Sequence, residues 1–264
     1  MVTSPNSTDL SGRRILVCRP QPRADETCAA LREAGADARA MPMLRIEARE
    51  PDGRDRSLLQ NIDHYQKVIA VSPSAARLLL AHLEHWWPQW PAGIEWWGPG
   101  PGTARVFADA GLDARYPEGG HDTEALLAEP AFQPAVMAGQ RVLVARGEGG
   151  REALVTGLNR RAARTDILSL YQRETVEWDR EAIEHGLLEF NPDTIIALSG
   201  ETLNKLLELV QNNGVVTGWR MLVAPAERVA AKARGAGFDD VRTPRSLSPP
   251  GLVRACASER NLQE

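Results

Sequence analysis

The chain has 264 residues, 43% hydrophobic and 25% charged, with a formal net charge of −4. That length can bury one large core or two ordinary ones, and the acidic balance excludes a nucleic-acid binder driven by bulk positive charge. No apolar run approaches the ~20 residues that span a bilayer, and the polar N-terminus lacks the regions of an export signal. Cys18, Cys28 and Cys256 form neither a disulfide framework nor a metal-ligand spacing, so a reducing cytoplasm is expected. Lys67, Lys205 and Lys232 are the only lysines, leaving arginine with 28 of the 31 basic residues. Arginine forks suit carboxylates and phosphates, but an arginine-rich genome gives the same bias and is the weightier explanation.

In chain order, residues 14–18 read as a buried strand ending at Arg19-Pro20. A helix over 24–34 closes on Gly35, and a short strand over 36–41 leads to Pro42. Residues 43–49 are extended, and the polar stretch 50–56 reads as a connection. Lys67 to Val71 is a strand, Ser72-Pro73-Ser74 a turn, and 75–83 a helix. Five of the seven tryptophans fall between Trp86 and Trp97. With Pro88 and Pro91 inside it, that stretch reads as a loop packed on the core in preference to a stacking surface. Gly98 to Thr103 turns into a helix ending at Ala110, residues 111–115 form a strand, and Asp122 caps a helix to about Glu129.

The most informative unit runs from Arg141 to Glu174. Val142 to Ala145 is a short apolar strand, Arg146-Gly-Glu-Gly-Gly-Arg151 a glycine-rich break. Leu154, Leu158 and Ala162 have helical spacing, and a second apolar run ends at Leu170-Tyr171. Further on, strands are expected at 194–198, 220–223 and up to Val241. Helices are expected at 203–210, before Ala236 and after Ser248-Pro-Pro-Gly251.

The rhythm repeats. Val68-Ile-Ala-Val-Ser72 and Ile195-Ile-Ala-Leu-Ser199 lie 127 positions apart. Ala110-Gly111-Leu-Asp and Ala236-Gly237-Phe-Asp lie 126 apart, as do Thr123-Glu-Ala-Leu126 and Pro249-Pro-Gly-Leu252. Three matches at equivalent places in a βα unit make an internal repeat. The expected fold is α/β: two similar doubly wound parallel-sheet domains with their strand ends facing a common cleft.

Specific signatures are missing: no phosphate loop, no His-Glu-x-x-His, no Gly-x-Ser-x-Gly elbow, no Cys-x-x-Cys. Gly98 to Thr103 has Gly-x-Gly-x-Gly spacing, which is not the dinucleotide fingerprint. Neither a nucleotide cofactor nor a metal is expected. What remains are small-residue turns after strands: Ser72 to Ser74, Gly102-Thr103, the run containing Gly147 and Gly149, Ser199-Gly200, and Ser248 to Gly251. Each can aim N–H groups and hydroxyls at an anion, though singly each is what any helix start contains. Five together, with Arg19, Arg146 and Arg151 nearby, are better explained by a polyanionic ligand. Tyr171, one of three tyrosines, ends a strand among them, as packing or as the site's one hydroxyl acid.

Ile15-Leu-Val-Cys-Arg19-Pro20, the Ser72 and Ser199 turns, Gly100-Pro-Gly-Thr-Ala104, Arg146-Gly-Glu-Gly-Gly-Arg-Glu152, Leu170-Tyr171-Gln172 and Ser248-Pro-Pro-Gly-Leu252 resemble the uroporphyrinogen-III synthase family. The match runs in order over about 14–255. The resemblance implies a flavodoxin-like fold for both domains. One domain would comprise 1–42 plus 177–264 and the other 49–167, joined by extended linkers at 43–48 and 168–176. It implies a cofactor-independent enzyme whose substrate is hydroxymethylbilane, a linear tetrapyrrole polycarboxylate, cyclised with loss of water and inversion of ring D. Tyr171 matches the family's linker tyrosine and would assist departure of the hydroxyl. The turns, with Arg19, Arg146, Arg151, Arg228 and Ser248, would grip carboxylates through charge-assisted hydrogen bonds. A monomer is implied, in transient contact with hydroxymethylbilane synthase and with no nucleic acid or membrane partner.

Two departures stand out. The counterpart of Gly102-Thr103 reads Ala224-Pro-Ala-Glu227-Arg228, aligned with a shift of two residues, and Glu227 and Glu201 stand where an anion would bind. Three rival readings share the architecture. They are an exported anion-binding protein, a glycosyltransferase, and a paralogue that binds tetrapyrrole without catalysis.

Overall fold

Short runs rich in Val, Ile and Leu, bounded by turn residues, become strands buried on both faces, as parallel sheets require. The computed structural model describes residues 8–120, 122–149, 152–215 and 218–257. In chain order it begins with β1 (Arg14–Val17), α1 (Arg23–Glu33), β2 (Asp37–Ala40), β3 (Leu44–Ala48), α2 (Gly53–Gln60), β4 (Lys67–Ala70) and α3 (Pro73–Trp86). There follow β5 (Glu95–Trp97), α4 (Pro101–Asp109), β6 (Ala114–Arg115), α5 (Thr123–Ala128), α6 (Pro134–Met137), β7 (Arg141–Gly147), α7 (Ala153–Asn159) and β8 (Arg164–Thr175). The remainder is α8 (Arg180–Ile183), β9 (Thr194–Ile196), α9 (Gly200–Asn212), β10 (Met221–Val223), α10 (Glu227–Gly235), β11 (Asp240–Arg242) and α11 (Pro249–Cys256).

The chain divides into two units, Met1–Ile46 with Glu174–Glu264, and Glu47–Arg173. In the first unit the sheet order is β2-β1-β9-β10-β11, every pair parallel. Alternate side chains go to opposite faces. Leu16, Ile195 and Leu222 pack with Leu203 and Leu206 of α9 and Val229 and Ala233 of α10. Ile15, Val17, Ile196 and Val223 pack with Cys28 and Leu31 of α1 and Leu252 and Cys256 of α11. This two-sided covering is the doubly wound arrangement. The three cysteines are buried and free, and burial pushes their thiols up.

In the second unit the order is β8-β7-β4-β5-β6, again parallel, with β3 beyond β8 at the edge. Its core joins Ile69, Trp97, Val142 and Val144 to Leu126, Phe132, Leu154 and Leu158. The two segments that link the units are β3 and β8, which are neighbours in this sheet.

The repeat extends further than the sequence fragments indicated. Arg14 and Arg141 begin β1 and β7, 127 positions apart, and their partners Asp37 and Arg164 keep that spacing. The starts of α3 and α9 also differ by 127, and those of α4 and α10 by 126. In both sheets the strand order reverses at one place, between β1 and β9 in the first unit and between β7 and β4 in the second. Open α/β sheets take ligands at the carboxyl ends of strands flanking such a reversal.

Some local expectations change. The stretch expected as a connection at 50–56 contains the start of α2, because Asp52 caps it by accepting from the Asp55 N–H at 2.8 Å. The tryptophan-rich stretch is not all loop: Trp86 ends α3, and Trp96 and Trp97 lie in β5, each only 3% exposed. α7 ends at Asn159, before Ala162, whose φ of 59° leaves the helical region. The helix expected to begin at Leu203 begins at Gly200, capped by Ser199.

Candidate active site

In the second unit the strand reversal gathers several of the expected residues. Ser72 follows β4 and caps α3, its Oγ accepting from the Ala75 N–H at 3.1 Å. Ser74, in the first turn of that helix, is half-buried. Arg146 and Gly147 close β7, and Tyr171 lies opposite them on β8, where a bulge between Arg146 and Gly147 pairs Gly147 with Tyr171. The Glu148 N–H donates to the Tyr171 carbonyl at 2.7 Å. Tyr171 is 2% exposed, and its hydroxyl lies 3.3 Å from the Ser72 Oγ, either atom being able to donate. The phenol oxygen is thus held at the N-terminal end of a fourteen-residue helix, where unpaired N–H groups favour negative charge. The Arg173 guanidinium stands 6.0 Å from the Tyr171 ring centroid.

Arg146 is buried and donates through Nη2 to Glu152 Oε1 at 2.7 Å, while that carboxylate is 66% exposed. A guanidinium held in this way can exchange one carboxylate for another arriving from solvent. Glu152 has no role in the sequence reading, because that pairing depends on how the glycine-rich turn closes. Gly149 adopts φ 65° in the turn. Arg151 lies outside the described residues. Gly102 and Thr103 open α4, one strand further along. Thr103 is 3% exposed and packs its Cβ against Gly98, so it faces the interior.

The first unit holds an equivalent set. Arg19, at the end of β1, is the 127-position counterpart of Arg146, and both residues are 8% exposed. Its Nη1 donates to Thr27 Oγ1 at 3.0 Å. Among the described residues no carboxylate forms an ion pair with it. Burial pulls its guanidinium down to about 10, with the Arg23 charge acting in the same direction and Glu26 opposing. It therefore remains a cation at neutral pH. Ser199 caps α9 by accepting from the Thr202 N–H at 3.0 Å, as Ser72 caps α3, but its hydroxyl donates to Thr202 Oγ1 at 2.8 Å. Position 75, the counterpart of Thr202, is alanine. Ser72 therefore keeps its hydroxyl for Tyr171.

The turn before α10 is in register with that before α4 and needs no shift. Gly100 and Ala226 are both extended N-caps, which puts Arg228 at the place of Gly102 and Val229 at that of Thr103. Glu227 turns to its own helix and accepts from Arg234 at 2.6 Å, which lowers its pKa. Arg228 is exposed, and its Nη1 lies 4.0 Å from the position a Cβ would take on Gly200. Glu227 is thus paired along its own helix, and Arg228 stands by the N-terminus of α9. Ser248 caps α11, accepting from the Gly251 N–H at 3.4 Å.

Elsewhere, a groove of about 300 Å³ is lined by Trp90, Pro91, Trp96, Glu95, Leu112 and Arg115. It lies where β5 and β6 begin, at the opposite end of the sheet from the capped turns. Among the described residues no three His, Cys, Asp or Glu side chains converge as metal ligands, and no helix is long and apolar enough to cross a membrane.

The model of the uroporphyrinogen-III synthase HemD family matches residues 25–254. The chain belongs to the uroporphyrinogen-III synthase family. A uroporphyrinogen-III synthase of Salmonella typhimurium is 31% identical over 247 residues, covering 91% of this chain and 98% of its own length. That of Proteus mirabilis is 32% identical over 211 residues, covering 76% and 99%. Among solved structures, a mutant uroporphyrinogen III synthase from Thermus thermophilus superposes with a TM-score of 0.59 at 17% identity, covering 96% of this chain and 99% of that one. The uroporphyrinogen-III synthetase of Helicobacter pylori gives 0.58 at 13% identity, covering 92% and 96%. At such identities these two speak for the synthase fold alone.

Proposed function

We propose that the chain is a uroporphyrinogen-III synthase, a cofactor-independent lyase of tetrapyrrole biosynthesis acting in the cytoplasm as a monomer. Its substrate is hydroxymethylbilane, received from the synthase that makes it. The reading is carried by one observation beyond family membership, the Tyr171 hydroxyl held against Ser72 at the strand reversal of the second unit. A phenol there can donate its proton to the substrate's hydroxymethyl oxygen. The C–O bond breaks, water leaves, and an azafulvene cation remains. The terminal ring then attacks through its substituted carbon, and rearrangement leaves that ring inverted. The proton lost as the pyrrole regains aromaticity restores the phenol, so water is the only by-product.

The capped turns and the arginines Arg19, Arg146 and Arg228 support binding of the acetate and propionate groups. Holding the bilane folded so that the substituted carbon is the one presented contributes more than the weak acid does, since orientation can supply several kcal/mol. The test is product isomerism. Hydroxymethylbilane is generated in place, the products are oxidised, and type I and type III porphyrins are separated. Uncatalysed closure gives type I. Excess type III is expected; type I alone from folded protein would remove the enzymatic reading.

A further inference from the structure

Gly147 ends β7 in an extended conformation, and it is not among the glycines with positive φ. Any residue could adopt its backbone, so conformational freedom does not account for it. What the glycine supplies is volume. A Cβ at position 147 would lie 2.7 Å from Cζ and 2.9 Å from Cδ2 of Tyr171, and closer still to Cε2. Those distances are well inside van der Waals contact. The ring cannot yield cheaply, because Tyr171 is 2% exposed and its backbone is pinned by the Glu148 N–H. The ring thus rests where the 147 side chain would be, and in that position its hydroxyl reaches Ser72.

The internal repeat offers a control within the same molecule. By the 127-position spacing, the first-unit counterparts of Gly147, Tyr171 and Ala75 are Pro20, Leu44 and Thr202. The first unit keeps the helix cap but has no phenol, no glycine beneath one, and a threonine whose Oγ1 accepts the cap serine's hydrogen bond. The three substitutions occur together, in the unit that presents the tyrosine.

We infer that Gly147 is a positioning residue for the reaction, leaving vacant the volume that lets the Tyr171 hydroxyl reach Ser72. This rests on reading Tyr171 as the acid. Gly147→Ala, Tyr171→Phe, Tyr171→Ala and the Gly147→Ala/Tyr171→Ala double variant separate it from a merely structural role. Gly147→Ala should lower kcat to within about two-fold of Tyr171→Phe, with KM changed less than about two-fold, as expected when only a transition-state interaction is lost. In the Tyr171→Ala background, where no ring needs the space, the same substitution should change kcat by less than about two-fold, the non-additivity of directly coupled groups. Wild-type kcat in Gly147→Ala, or equal losses in both backgrounds, would overturn the inference.

A second readout does not depend on turnover. Of the three tyrosines, the 3-fluorotyrosine resonance missing in Tyr171→Phe identifies Tyr171. It should move in Gly147→Ala while those of Tyr65 and Tyr116 stay, and an unmoved resonance counts against the placement. If wild type makes no type III porphyrin, the functional reading fails while the fluorine spectrum still judges the geometry. Should Gly147→Ala not fold, the double variant, lacking the ring, should fold; its failure too would sink the idea.

Discussion

The arginine pair Arg19 and Arg146 shows how far single residues could be read. Both follow apolar runs directly, and the turn residues Pro20 and Gly147 come next, so both were legible as cations at turns. Their partners were not legible. Arg146 rests on a carboxylate six positions later, and Arg19 on a threonine eight positions later, contacts fixed by side-chain geometry with no periodic signal. Glu227 looked misplaced beside a polyanion until its pairing with Arg234 appeared, seven positions away on one helix face. At this scale, Arg146→Ala should raise KM by about 10- to 100-fold, the loss of a charge-assisted hydrogen bond of roughly 1.5–3 kcal/mol. The fold should be unaffected, since Glu152 is 66% exposed and is left in water. Steady-state kinetics together with a thermal melt would check this. An unchanged KM would remove Arg146 from the binding set.

Among the elements, helices with cap serines were read correctly in kind, but their starts came out late. Gly200 and Pro73 look like turn residues, although N1 is where proline is favoured. β5 was missed because the tryptophans and prolines before it made the whole stretch read as loop. The matched caps allow a controlled comparison. Ser72→Ala and Ser199→Ala should each cost about 1 kcal/mol of stability, measured by urea unfolding, and only Ser72→Ala should also lower kcat, any kinetic effect of Ser199→Ala falling on KM. An equal fall in kcat from both would break the link between Ser72 and Tyr171.

A second element-scale contact ties β4 to β5. Buried Lys67 donates to Glu95 at 2.7 Å, and Trp97 Nε1 donates to the same oxygen at 3.1 Å. Desolvation pushes the Glu95 carboxyl up, but the Lys67 and Trp97 hydrogen bonds and the Lys67 and Arg115 charges outweigh it, leaving the pKa lowered. A carboxylate so lowered contributes stability above its unfolded pKa near ~4.3 and loses that contribution as pH falls through the lower folded value. Glu95→Gln should therefore cost about 1–2 kcal/mol at pH 7, a figure kept low because Glu95 is 38% exposed. The gap should shrink below about pH 4. Urea melts at the two pH values decide it, and a gap that does not change with pH would mean that the charge on Glu95 contributes nothing to it.

For the whole molecule, the α/β class and the repeat were legible because short apolar strands and capped helices recur at fixed spacing. The full extent of the repeat was legible too, since Arg14-Ile-Leu-Val-Cys-Arg19 and Arg141-Val-Leu-Val-Ala-Arg146 agree at four of six positions, but so short an apolar match says little until both strands are seen at the same place in a sheet. The equivalent pairing of Arg14 with Asp37 and of Arg141 with Arg164 supplies that. The two units carry the same strand arrangement, entered at different points along the chain. In the second unit every strand from β4 to β8 arrives in one continuous run. In the first, β1 sits between β2 and β9, and Ile15 pairs with Thr194. As the chain leaves the ribosome, the second unit can complete its sheet as soon as β8 emerges, while β1 and β2 wait with one edge open for a neighbour translated some 180 residues later. At ~5–20 residues per second, that wait is on the order of ten to thirty seconds. The strand that leads to Arg19 is among the first parts of the protein to be synthesised and among the last to be enclosed.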